Sequence, residues 1–120
     1  MGKAILGARI LVMGMTFKEN VADIRNSKVV DIINELKDFG VEVDVVDPYA
    51  DPEEVKKMYG FRLIEKPLGN YDAVVVAVAH DAYQGLDEKY FKSLTCDKAV
   101  LVDVKGMYRD KIHELKYWSL

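Results

Sequence analysis

The densest chemistry in this chain lies between Gly14 and Ser27, in the stretch GMTFKENVADIRNS. Lys18 and Arg25 supply two cations there. Thr16, Asn20, Asn26 and Ser27 supply hydroxyl and amide donors, and Asp23 stands two residues before Arg25. Such a set suits a phosphate or pyrophosphate, because cationic donors make the stronger, charge-assisted hydrogen bonds to anionic oxygens. Asp23 is spaced to hold the Arg25 guanidinium in position or to pair with it. The glycine pattern of a dinucleotide turn is missing: Gly14 stands alone where G-x-G-x-x-G needs three. Binding here would therefore rest on side chains, not on a backbone cradle alone. A second reading of the same residues stays open at this point, a solvated loop with a capping serine and incidental charges.

Four positions outside this stretch, and Ser27 within it, invite a further chemical reading. His80 and Asp81 are adjacent, but neighbours on an extended chain point to opposite faces, so a direct dyad is awkward and loop ordering is the better use. Asp47 ends an apolar run just where dinucleotide folds place a ribose-binding acid. With Pro48 next to it, Asp47 reads better as the cap of a turn than as a cofactor contact. The lone Cys96 excludes an intramolecular disulfide and a multi-cysteine metal site. Ser27 reads as a helix cap and not as a nucleophile, since no base is placed beside it.

The elements that would position these residues follow from periodicity. Residues 8–15 (ARILVMGM), 71–79 (YDAVVVAVA) and 99–104 (AVLVDV) are short, continuous, β-branched runs of the buried-strand type. Residues 41–47 (VEVDVVD) alternate more and stop at a proline, and residues 61–64 (FRLI) form a candidate fifth strand. Residues 27–39 carry Val29, Ile32, Ile33 and Leu36 on one helical stripe, with Ser27 as the expected N-cap and Gly40 beyond the end. Residues 51–59 begin with a first-turn proline and acids, and residues 87–94 predict a short third helix.

Strand–helix–strand repetition with compact connections predicts right-handed crossovers and a mostly parallel sheet. The fold class is thus a doubly wound, Rossmann-like α/β single domain, which binds ligands beyond the carboxyl ends of its strands. Loops in such folds have a median length of about 4–6 residues, so the long polar connection after the first run is unusual and lies at the ligand edge. It also leads into a helix N-terminus, whose dipole favours anions.

Bulk properties bound the rest. One domain is expected from 120 residues, and 50% hydrophobic residues suffice for a core. No apolar run reaches the length of about eighteen residues that reads as a membrane span. A net charge of −3 argues against a nucleic-acid partner. A cytoplasmic location is the default for such a chain, and residues 1–7 read as an N-terminal extension or the end of a preceding helix.

GMTFKENVADIRNS resembles the G-x-x-F-K-x-x-x-x-D-x-R-x-S signature that opens the C-terminal, UDP-sugar-binding domain of the UDP-glucose/GDP-mannose dehydrogenase family. The resemblance continues through VDPY at Val46–Tyr49, YDAVVVAVAHD from Tyr71, VDVKG from Val102 and the terminal YWSL, so it covers residues 8–120. The KEN, AVAHD and YWSL patterns resemble most the branch that oxidises UDP-N-acetylhexosamines.

The resemblance implies a fold and a division of labour. Such enzymes oxidise the C6 alcohol of a UDP-sugar to a carboxylate, in two hydride transfers to NAD through a thiol-linked intermediate. The NAD-binding domain and the cysteine nucleophile belong to regions outside the part matched here. By this resemblance Phe17 and Lys18 line the UDP-sugar site, with Phe17 as a core plug the rival reading. Arg25, oriented by Asp23, reaches toward the NAD pyrophosphate, where a bidentate fork outperforms a lysine. Lys105 corresponds to a basic position that contacts substrate. Cys96 matches no part of the nucleophile motif and reads as structural, so no catalytic residue is expected in this chain. The whole enzyme is expected to be a homodimer or larger, and this domain alone a monomer. The rival in function is a stand-alone, non-catalytic nucleotide-binding or interaction module.

Overall fold

Residues 7–119 are described in a computed structural model of the chain. The β-branched runs become β1 (Arg9–Met13), β2 (Glu42–Val46), β3 (Tyr71–Val76), β4 (Thr95–Asp103) and β5 (Lys116–Ser119). All five pair in parallel, in the order β2-β1-β3-β4-β5. The helices are α1 (Lys28–Asp38), α2 (Pro52–Tyr59) and α3 (Glu88–Leu94).

Strand alternation sends side chains to two cores. Val12 and Val45 meet Val30 and Ile33 of α1 and Val55 of α2 on one face. Leu11, Met13, Val74, Val76 and Leu101 meet Phe91 of α3, with Tyr83 and Tyr108, on the other. Each such aliphatic side chain, fully buried, contributes about 1.5–3 kcal/mol relative to an exposed one. No helix among the described residues is long and apolar enough to cross a membrane.

Local signals set the helix ends. Asp51 accepts from the Glu53 amide at 2.9 Å with Pro52 in the first turn, and Gly60 ends α2 in the left-handed region. Asp87 caps α3 by accepting from the Tyr90 amide. Ser27 departs from expectation. It occupies the N-cap position of α1, but its buried hydroxyl donates to the Met15 carbonyl at 2.6 Å and caps nothing.

Two strand expectations are corrected and one strand is added. Residues 61–64 form no strand: Leu63 and Ile64 turn to different cores and only the Ile64 amide reaches β2, at the Val45 carbonyl. β4 starts at Thr95 because an irregularity opposite Tyr71 and Ala73 absorbs Cys96, Asp97 and Lys98, with Lys98 at φ 64°. β5 was not foreseen; it pairs with β4 from Lys116 to Ser119. The expected N-terminal extension lies outside the described residues except for Gly7, whose amide donates to the Gly40 carbonyl.

Candidate functional site

In this strand order the chain leaves β1 toward β2 on one side while β3 lies on the other, so the switch point falls between the carboxyl ends of β1 and β3. The polar connection after β1 runs across that edge. It begins at Gly14, which has φ +91° and packs against Val78. A Cβ at Gly14 would lie 2.7 Å from Val78 Cβ and 3.0 Å from the Val78 nitrogen. Only glycine fits both the angle and the approach.

The loop is fastened mainly by side chains from the ends of β2 and β3. Asp47 Oδ2 accepts from the amides of Met15 at 2.7 Å and Thr16 at 3.2 Å, and from His80 Nε2 at 3.0 Å. Its Oδ1 accepts from the amides of Tyr49 and Ala50. The Asp47 side chain is fully buried and both oxygens are occupied, so it cannot serve as a ribose acid. It does cap the Pro48 turn.

His80 is also fully buried and partners Asp47, not the adjacent Asp81. Its Nδ1 accepts from the Asn20 amide at 2.9 Å, and the Asn20 side chain in turn accepts from the Asp81 amide at 2.8 Å. The Tyr49 and Tyr83 rings flank the imidazole. Further ties are Phe17 amide to Asp23 carbonyl at 2.7 Å and Thr16 hydroxyl to Lys18 carbonyl at 2.9 Å. Asn20 and Asn26 sit at φ 62° and 58°, left-handed angles that asparagine tolerates better than most residues.

What this scaffold displays is exposed. Phe17 is 57% exposed and belongs to neither core. Lys18 is exposed beside it. Arg25 lies farther along the same loop, with Nε 3.0 Å from Asp23 Oδ1 and Nη2 3.1 Å from Asp23 Oδ2. That paired guanidinium, with the Arg25 amide, holds the Asp23 carboxyl below its ordinary range. Lys105 is exposed after β4, two strands from β1 and so about 10 Å across the sheet.

A carboxylate anchors the Lys105 loop as well. Asp103 is buried and accepts from the amides of Met107 and Tyr108 and from the Tyr117 hydroxyl. Loop ordering by His80 and a turn cap at Asp47 were expected; their pairing with each other, and the anchoring by Asn20 and Asp103, were not read from the sequence. The available signal was an aspartate closing two apolar runs, in VVDP and LVDV.

A cleft of about 690 Å³ opens beside Arg25, between the loop and α2, with Asp23, Glu54 and Lys57 in its walls. Another, of about 750 Å³, is lined by Pro48, Leu63, Tyr83 and Tyr90. Neither includes Phe17, Lys18 or Lys105. The chemistry-bearing side chains project outward and are not gathered in a closed pocket. Cys96 lies at the opposite edge of the sheet, where its thiol donates to Asp72 Oδ1 at 3.1 Å. The level of Thr95 is five β3 residues from that of Asp103, roughly 17 Å along the strand.

The fold and edge define a doubly wound α/β domain of the nucleotide-binding type whose own crevice is filled. The model of the UDP-glucose/GDP-mannose dehydrogenase family, UDP binding domain, matches residues 11–110. The chain belongs to this family. It is 39% identical over 111 residues to a UDP-N-acetyl-D-glucosamine 6-dehydrogenase of Pseudomonas aeruginosa, covering 92% of this chain and 26% of that protein. It is 43% identical over 107 residues to Protein CapL of Staphylococcus aureus, covering 88% and 25%. The fold is shared with an NDP-N-acetyl-D-galactosaminuronic acid dehydrogenase of Methanosarcina mazei at TM-score 0.76 and 22% identity, over 98% of this chain and 25% of that one. The chain thus spans about a quarter of the length of the relatives it matches.

Proposed function

We propose that this chain supplies the UDP-sugar-binding wall of the active site in an NAD-dependent UDP-sugar 6-dehydrogenase, acting on a UDP-N-acetylhexosamine. The observation that carries the reading is the pinned β1 loop, which holds Phe17 and Lys18 outward at the ligand edge of a UDP-binding domain. In this reading Lys18 Nζ donates a charge-assisted hydrogen bond to the substrate. The Phe17 ring gives an apolar wall, and Lys105 adds a second cation from the loop after β4.

The residues present suit one contact to NAD and not its full grip. Asp47 has no oxygen left for a ribose, and Gly14 is a single glycine packed on Val78. The Arg25 guanidinium, held along one edge by Asp23, can reach a pyrophosphate bound by another part of the protein. Bound there, NAD would accept the hydride from C6 of the sugar. Cys96 is too remote for a nucleophile's role, so the reactive thiol comes from outside this chain.

The test is a heteronuclear NMR titration of the chain with UDP and with UDP-N-acetylglucosamine. Phe17, Lys18 and the Lys105 loop should shift, and Lys18→Ala should weaken binding. Shifts confined to the Tyr83 cleft would refute the assignment. Formation of NADH by this chain alone from a UDP-sugar and NAD would refute the division of parts.

A further inference from the structure

We infer that His80 is a positioning residue of the UDP-sugar site, whose uncharged imidazole fixes the arc that presents Phe17 and Lys18. The inference rests on the reading that those two side chains meet the substrate. It adds a residue from the loop after β3 that never touches the ligand.

The argument begins with the ring's hydrogen bonds. The Asn20 amide lies 2.9 Å from Nδ1, and a backbone N–H can only donate, so Nδ1 carries a lone pair. Nε2 then bears the hydrogen and gives it to Asp47 Oδ2 at 3.0 Å, with Thr16 Oγ1 also near at 3.3 Å. The Thr16 hydroxyl hydrogen is directed to the Lys18 carbonyl, which leaves its lone pairs for the ring.

Thr16 precedes the Phe17–Lys18 pair and Asn20 follows it, so both feet of the arc from 16 to 20 rest on one imidazole. Asn20 is held there at φ 62°. Its own side chain accepts from the Asp81 amide, which ties the far foot a second time to the segment that follows β3. The ring is fully buried, and the Tyr49 and Tyr83 rings restrict its movement. Asp47 holds the near foot through the Met15 and Thr16 amides whether or not His80 is present. Loss of the Nδ1 acceptor therefore acts on the Asn20 foot alone.

Two uncharged substitutions separate the ring's two contacts. His80→Asn keeps a carbonyl oxygen near the position of Nδ1 and drops the link to Asp47. His80→Gln keeps an amide donor near the position of Nε2 and drops the acceptor for Asn20. UDP affinity and amide exchange are measured by NMR on the chain and both variants. In His80→Gln, UDP affinity and the protection of the Asn20 amide should each fall about five- to tenfold, the scale of one net hydrogen bond. His80→Asn should stay within about twofold of the native chain in both, by the same scale.

A merely structural histidine predicts equal losses in the two variants, and that result overturns the proposal. Unchanged Asn20 protection in His80→Gln overturns it too. If the native chain binds no UDP, the functional reading fails while the exchange data still decide whether His80 orders the arc. Should a variant fail to fold, the ring nitrogen shifts of native His80 decide instead, because a hydrogen on Nδ1 contradicts the inferred geometry.

Discussion

Asp47→Asn tests the anchoring most directly, because it keeps the side chain's shape and removes its charge and one acceptor. The native carboxylate takes five donors, three on Oδ2 and two on Oδ1. The less costly asparagine rotamer keeps its oxygen toward Met15, Thr16 and His80. Its amide group then faces the Tyr49 and Ala50 amides, donor against donor. Three retained bonds lose their charge assistance, worth about 1 kcal/mol each, and two lose their acceptor, at about 1–3 kcal/mol for a donor that water cannot reach. The Tyr49 amide lies near solvent and recovers part of its loss, and the variant no longer bears the desolvation of a buried charge. Bonds sharing one carboxylate are not additive. The net expectation is a destabilisation of about 2–4 kcal/mol, which for a domain of this size lowers Tm by roughly 8–16 °C. Thermal unfolding followed by circular dichroism at neutral pH measures it. A variant melting within about 2 °C of the native chain, half of what 1 kcal/mol produces, would refute the claim that Asp47 organises this edge.

Gly14→Ala should destabilise by about 2–5 kcal/mol, combining a left-handed angle with a methyl driven into Val78, as read by urea unfolding. Glu88 accepts from the amides of Leu115, His113 and Glu114, led by Leu115, which holds its carboxyl below the ordinary value of 4.5. A depressed folded-state value means that the stabilisation is full above the unfolded value and is lost as pH falls through the folded one. The Tm gap between native and Glu88→Gln should therefore be open at neutral pH and close in acid, and a gap independent of pH would contradict it. Lys18→Ala should leave Tm unchanged while reducing UDP affinity, since the side chain is exposed and forms no part of the anchoring. Cys96→Ser should leave UDP affinity unchanged, because the thiol sits at the far edge of the sheet.

Periodicity made most of the fold legible. The β-branched runs and the apolar spacing of α1 sit where the central strands and that helix lie, although the buried face takes Val30 with Ile33 and leaves Ile32, expected on the stripe, 44% exposed; the turn residues around Gly40, Asp51 and Gly60 mark the helix ends. What escaped depends on partners distant in sequence. Lys116–Ser119 is only four residues long, and its strand character comes from the pairing with β4. Residues 61–64 look like a strand by composition, yet Leu63 and Ile64 serve opposite cores at the sheet's edge and leave a single ladder bond. Ser27 has the local signature of a cap, but the Met15 carbonyl twelve residues earlier takes its hydroxyl. At the site, the residue types in the loop predict an anion partner, which the UDP titration tests. The Asp47–His80 pair that shapes the loop joins residues 33 apart and has no local pattern to betray it.

The same pair bears on why the proposed binding side chains face outward. In a dinucleotide fold, the acid after the second strand and the crevice at the switch point are left open for the ligand. Here the acid is sealed under five donors, and Val78 lies against Gly14 where a pyrophosphate would approach. A ligand must then lie on top of the edge, against side chains that project from it. Phe17 at 57% exposure, and an Arg25 side chain at 74% whose geometry is set by Asp23, suit one wall of a cleft. In the proposed function the opposite wall would come from the three quarters of its relatives' length that this chain does not cover. One wall gains few contacts and leaves its donors largely hydrated, so the isolated chain should hold UDP weakly. Affinity should rise steeply when the same residues are measured within the longer protein. Equal affinity in the two settings would mean that this domain forms the complete UDP site, and that the outward loop has another purpose.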